Sequence, residues 1–191
     1  MNYDPGIHHR RSVRLVGYDY SWAGAYSITI CTHRRRHLLG KVMDGNVRLT
    51  PWGQIVERCW RDLPSHYPNV NVDAFVVMPN HLHGIVILIA PEGDESRKTE
   101  CIPTAHSLGE IVRGFKALCS RQISSCSGTA GTTIWQRSYH EHVIRSEASL
   151  NAIRLYIERN PANWAFDPEN PDKVSKGRDV DRWPLPEERA G

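Results

Sequence analysis

Two histidines two residues apart, His81 and His83, stand inside the apolar run Val76-Val77-Met78-Pro79-Asn80-His81-Leu82-His83-Gly84-Ile85-Val86-Ile87-Leu88. Side chains alternate faces along an extended strand, so the two imidazoles share one face and Leu82 points to the other. A pair of imidazoles held side by side is half of a metal site, and a divalent ion there suits chemistry on phosphates or carbonyls. With 10 His in 191 residues, roughly half of one His-x-His is expected by chance. A second one, His140-Glu141-His142, is in fact present. Only the first pair lies in a segment that must be buried on its opposite face, so it is the candidate; a pair of ordinary core histidines is the competing reading.

A metal site for such chemistry needs a further ligand and a nucleophile. Tyr156 and Asn160 are four residues apart on a predicted helix, one turn from each other on the same side. Leu150, Ile153 and Ile157 form the neighbouring apolar stripe. If that stripe packs on the sheet beside the histidines, Asn160 can offer a carbonyl oxygen and Tyr156 can face the ion. The plainer alternatives are a half-buried core aromatic and an ordinary helix C-terminal residue.

The elements that must position these groups are readable from pattern. Ala25 to Thr32 alternates as a strand, and Lys41 to Leu49 around Asp44-Gly45 reads as a hairpin. Thr50-Pro51 opens a helix, with Thr as N-cap and Pro at the first helical position. Val70 to Val77 and Leu82 to Ala90 are two further strands. Ser107-Leu108-Gly109-Glu110 is a capping box that starts a second helix, with Arg113, Lys116 and Arg121 off its apolar face and available to phosphate. Ser124 to Thr133 reads as a linker, and Ile134 to Arg145 holds a last short strand. Ser146 caps a third helix that ends at Asn160-Pro161. This order predicts a split β-α-β unit: an α+β, ferredoxin-like antiparallel sheet with helices on one face. It divides the chain into a basic N-terminal arm (1–17), one domain (18–165) and a tail (166–191).

Composition narrows the function class. Residues 1–50 carry eight Lys/Arg against three acids, whereas residues 167–191 carry five against seven. A basic N-terminal third hints at a polyanion partner, with Arg10, Arg11 and Arg14 on the arm and Arg34, Arg35 and Arg36 in a turn as the phosphate contacts. The longest aliphatic run, Ile85 to Ala90, is far short of the ~20 residues a membrane span needs. Five scattered cysteines without a Cys-x-x-Cys pair argue for a reduced, cytoplasmic protein and against a zinc ribbon.

At the candidate residues the chain resembles a known family. His81-Leu82-His83 with its Val-Val-Met-Pro-Asn and Gly-Ile-Val-Ile flanks, together with Tyr-Ile-Glu-Arg-Asn-Pro (Tyr156 to Pro161), is similar to the single-tyrosine HUH transposases, and within them to the REP-associated tyrosine transposases. Gly17 to Tyr20, Tyr26 to Thr32, Asp73 to His83, Ile134 to Tyr139 and His142 to Arg145 extend the likeness from about Arg10 to Trp164. The resemblance implies an HUH-type nuclease domain: a metal-dependent endonuclease and strand-transferase on single-stranded or hairpin DNA. It implies Tyr156 as nucleophile through a 5′-phosphotyrosine bond, and His81, His83 and Asn160 as ligands of Mg²⁺ or Mn²⁺. It is also compatible with a homodimer, and with association with the nucleoid when DNA is bound. A non-catalytic nucleic-acid-binding module on the same topology is the competing class. Such modules stack bases on aromatics of their central strands, and the middle strands here offer only Phe75. A third class is a hydrolase that uses water in place of Tyr156.

Overall fold

The computed structural model describes residues 17–90, 105–128 and 131–173. Its elements, in chain order, are β1 (Gly24–Cys31), β2 (Gly40–Met43), β3 (Asn46–Leu49), α1 (Pro51–Arg61), a short α2 (Leu63–His66), β4 (Val70–Val77), β5 (His81–Leu88), α3 (Leu108–Ser127), β6 (His140–Ile144) and α4 (Glu147–Arg159). Single 3₁₀ turns follow β1 (His33–Arg35) and α4 (Trp164–Phe166).

The helix starts rest on the side chains expected of them. Thr50 Oγ1 accepts from Gly53 N at 3.1 Å, a cap of about 1 kcal/mol. Ser107 and Glu110 close a reciprocal capping box, and Ser146 Oγ accepts from Ser149 N. α3 runs on through Ser127 to a left-handed Gly128, so the Ser-rich stretch from Ser124, expected as linker, begins as helix. Between β2 and β3, Asp44 and Gly45 both take positive φ, 51° and 72°, the two-residue turn whose twist matches a hairpin.

Four strands form one antiparallel sheet in the order β4-β5-β1-β6. The crossover from β1 through α1 to β4 leaves a gap that β5 fills, and β6 returns beside β1; this is the split β-α-β arrangement of a ferredoxin-like fold. The two faces are covered differently. Tyr26, Ile28 and Ile30 of β1 and Leu82, Val86 and Leu88 of β5 join Val56, Trp60 and Phe115 of α1 and α3 in the main core. On the other face Ile85 and Ile144 meet Ile153 and Ile157 of α4 in a smaller cluster. The expectation of helices on one face thus holds for α1 and α3, while α4 lies against the opposite face. The cause is β5, whose residues are apolar on both sides and need cover on both.

Two local features fix how β5 presents its histidines. Gly84 packs beneath Trp60, where a Cβ would sit 2.4 Å from the indole Cζ2, so only glycine lets the ring lie against the strand. In β4 the register slips between Val72 and Phe75. The extra residue turns both Asp73 and Ala74 toward α4, as a bulge re-aims side chains, and Asp73 takes a two-point ion pair from Arg154 of α4 at 2.6 and 3.0 Å.

Candidate metal centre and active site

His81 and His83 face α4 from the middle of the sheet, opposite Cys31 and Thr29 of β1. Both are almost fully buried, and their ring centroids are 4.4 Å apart. Each Nδ1 has a hydrogen-bond partner at 2.8 Å, Asn80 Oδ1 for His81 and Thr29 Oγ1 for His83, which turns both Nε2 atoms the same way. There they meet the carboxylate of Asp167, whose Oδ2 lies 4.0 Å from each Nε2, too far for a direct hydrogen bond. Asn160, at the end of α4, donates from Nδ2 to the same Asp167 oxygen at 2.7 Å.

This cluster has the character of a cation site. Burial, reinforced by the charge of Arg35, pushes the His81 imidazole down to about 3. Burial first, then His81, also lowers His83 well below the usual histidine range. Both rings are therefore neutral near pH 7, as ligands must be. His81 Nε2 and Asn160 Oδ1 are buried and make no hydrogen bond, an arrangement that costs about 1–3 kcal/mol per group unless something satisfies it. A divalent ion among His81, His83, Asp167 and the Asn160 oxygen would do so. Among the described residues His81, His83 and Asp167 are the one set of His, Cys, Asp or Glu side chains close enough to share an ion.

Tyr156 borders the cluster. The stripe Ile153 and Ile157 that seats α4 on the sheet leaves Tyr156 half-buried at its edge, with its ring centroid 5.3 Å from that of His83. Asn160 follows one turn later. The other histidine pair lies on edge strand β6, with His140 and His142 opposite Thr29 and Ser27, outside the cluster.

No known protein-family profile matches the chain. It is 39% identical over 178 residues to an uncharacterised protein of Haemophilus influenzae, covering 86% of this chain and 95% of that protein. It is 24% identical over 148 residues to a second Haemophilus influenzae protein, one named among the REP-associated tyrosine transposases, with 78% and 76% covered. Its fold matches the solved structure of a REP-associated tyrosine transposase bound to a REP hairpin, with a TM-score of 0.51 at 24% identity over 82% of this chain and 73% of that one. In sequence and in fold the chain is thus similar to REP-associated tyrosine transposases.

The basic residues fall into three groups. Arg34, Arg35 and Arg36 form the turn after β1, next to the cluster: Arg35 pairs with Glu169 at 2.9 Å, and Arg36 donates to Thr133 O at 2.9 Å. Arg34 and Arg36, with His33, Thr132 and Thr133, line a cavity of about 360 Å3. Arg113 and Arg121 are exposed on α3, the layer that covers the far face of the sheet. Lys116 differs from its expected role as a phosphate contact. Its ammonium donates to the carbonyls of Gln136 and Ser138 at 2.9 and 3.0 Å, and to that of Arg137 at 3.4 Å, so its protons are already engaged inside the protein; burial lowers it to about 8. Arg10, Arg11 and Arg14 lie outside the described residues.

The sequence reading missed Asp167. It sits in what reads as the start of the tail, two residues before Glu169, in a segment that folds back on the basic turn and on Asn80. Its short distance from Asn160, across a Pro-containing turn, was the available signal. No helix among the described residues is long and apolar enough to cross a membrane.

Proposed function

We propose that this protein is a metal-dependent single-stranded DNA endonuclease and strand-transferase that works through a 5′-phosphotyrosine intermediate, with hairpin DNA as its substrate. The observation that carries the reading is the buried convergence of His81, His83 and Asp167 with Tyr156 at its edge. The relationship to a family whose solved member holds a REP hairpin supports the substrate class.

His81, His83, Asp167 and the carbonyl oxygen of Asn160 would hold Mg²⁺ or Mn²⁺. The two oxygen donors harden a site that imidazoles alone would leave suited to zinc. Such an ion would supply polarisation of the scissile phosphate and neutralisation of the charge that builds on it. The chain does the rest. Tyr156 gives up its phenolic proton and its oxygen attacks phosphorus; the Tyr156 Oη–P bond forms, the P–O3′ bond breaks, and the departing 3′ oxygen takes up a proton. The phosphotyrosine bond keeps the energy of the phosphodiester, so a second 3′-OH can reverse the step on another strand. Asp167 and Asn160, hydrogen-bonded to each other, hold their oxygens in place before substrate arrives, which lowers the reorganisation needed at reaction. Arg34 and Arg36, beside the cluster, would receive backbone phosphates of the incoming strand.

The decisive experiment is to incubate the protein with a labelled hairpin bearing a single-stranded flank and Mn²⁺, then separate the products on a denaturing gel. A labelled band at protein mass, abolished by Tyr156→Phe, is the expected result. Binding without any adduct would return the protein to the non-catalytic class, and cleavage without an adduct would point to water as nucleophile.

A further inference from the structure

Asn80 is fully buried between three parts of the molecule that carry the site, and its amide can be oriented in only one way. Its Nδ2 lies 2.8 Å from the carbonyl oxygen of Glu169 and 3.2 Å from that of Arg35. Both partners are backbone carbonyls, which can only accept, so the nitrogen end of the amide must face them. The oxygen end then faces His81 Nδ1 at 2.8 Å. An amide oxygen also can only accept, so the hydrogen in that contact belongs to the imidazole. We infer that Asn80 is a positioning residue that locks His81 as the Nδ1–H tautomer, aims its Nε2 lone pair into the cluster, and ties that lone pair to the basic turn and the C-terminal segment through the same amide.

Each tie has a structural role. The turn containing Arg35 is strained: Arg34 and Arg35 both take left-handed φ, 56° and 52°, at about 1–2 kcal/mol per non-glycine residue. Such a conformation persists only where surrounding contacts over-determine it. Asn80 supplies one of these contacts, and Thr32 Oγ1, donating to Arg36 O at 2.7 Å, supplies another. The C-terminal segment brings Asp167, and Asn80 grips it at Glu169 O, two residues on. The residue preceding the first ligand thus sets that ligand's proton and anchors the segment that delivers the third. Its own backbone is held as well, since Asn80 O accepts from Thr32 N at 2.8 Å.

The inference rests on the metal reading only for its purpose; the tautomer itself can be measured without metal. In metal-free protein labelled with ¹⁵N-histidine at pH 8, where the rings are neutral, the expected result is a pyrrole-type shift at Nδ1 of His81 and a pyridine-type shift at Nε2. A pyrrole-type Nε2 in the unmodified protein would overturn the inference. Asn80→Leu keeps the bulk and removes the acceptor, so the His81 nitrogens should move toward a mixture of tautomers. Mn²⁺ affinity, read from EPR of the free ion, should fall about 10–100-fold, the usual effect of removing the partner that orients a histidine ligand. Unchanged shifts and unchanged Mn²⁺ affinity in Asn80→Leu would also overturn it. Should that variant fail to fold, the shifts of the unmodified protein still decide. If the unmodified protein shows the Nδ1–H form yet binds no Mn²⁺, the metal reading fails while the role of Asn80 stands.

Discussion

Tyr156 stands edge-on to His83, ring planes at 72° and centroids 5.3 Å apart, so the proposed nucleophile is placed by contact with a proposed ligand. Tyr156→Phe keeps that ring contact and removes only the oxygen. Adduct formation and cleavage should fall by at least ~10³-fold, the scale seen when a nucleophile is deleted, with hairpin affinity nearly unchanged. Tyr139 is the control. It packs against the main core, its ring 5.7 Å from the Lys116 ammonium, on the side of the sheet away from the histidines. Tyr139→Phe should cleave normally; a dead Tyr139→Phe beside an active Tyr156→Phe would reverse the assignment.

Asp167→Asn should weaken Mn²⁺ binding by at least ~10-fold, since it replaces the one carboxylate of the cluster with a neutral amide. The main core lies on the other face and should be untouched, so thermal unfolding of the metal-free protein is expected to shift by only a few degrees. Calorimetric titration with Mn²⁺ and a melting curve on the same sample check both halves. Equal Mn²⁺ affinity in the two proteins would remove Asp167 from the ligand set.

The Asp73–Arg154 pair predicts a pH dependence. The hydrogen bond from Arg154 holds the Asp73 carboxyl below its ordinary value. A carboxylate with a lowered folded pKa adds stability above its unfolded value, near 3.9, and loses it as pH falls through the folded one. Because the arginine is exposed, solvent screens the pair and keeps its contribution small. Asp73→Asn should therefore be less stable than the natural protein at neutral pH, and the two should converge as pH falls from the unfolded value through the lower folded one. A gap that persists in acid would mean that the aspartate acts through shape and not through charge.

Salt dependence separates the cations. Arg34→Gln should weaken hairpin binding and flatten the slope of log affinity against log salt by about one unit, as expected for one phosphate contact. Lys116→Met should leave that slope alone and lower stability by about 1–3 kcal/mol, because three backbone carbonyls lose their donor. A flattened slope in Lys116→Met would return that residue to the DNA face.

The parts legible in sequence were those with local signatures. Thr50-Pro51, Ser107 with Glu110, and Ser146 marked helix starts because a cap is a short-range bond. His81 and His83 stood out because strand geometry alone puts them on one face. What escaped depends on long-range placement. Helical spacing sets Lys116 off the apolar stripe, but nothing local reveals that Gln136 to Ser138 will turn their carbonyls onto it. Asp167 lies in a segment without hydrophobic periodicity, and its burial comes from a turn after Pro161 whose direction no pattern encodes. The position of α4 was half visible: Ile85 and Ile87 called for cover on the histidine face, but the same apolar helix could have met either side.

β5 divides its labour by the parity of residue number. Residues 81, 83, 85 and 87 face α4, the histidines at the cluster and the isoleucines in the smaller apolar layer, while 82, 84, 86 and 88 face the main core. Substitutions at 81 and 83 can therefore alter the cluster while the even positions keep the main core packed, so the two properties can drift independently in evolution. An insertion or deletion of one residue within the strand breaks that independence, because a one-residue slip exchanges the faces. Histidines would be driven under Trp60 and aliphatic side chains would be pushed toward Asp167, so a single reading-frame-preserving indel there would disrupt the main core and the proposed metal site together.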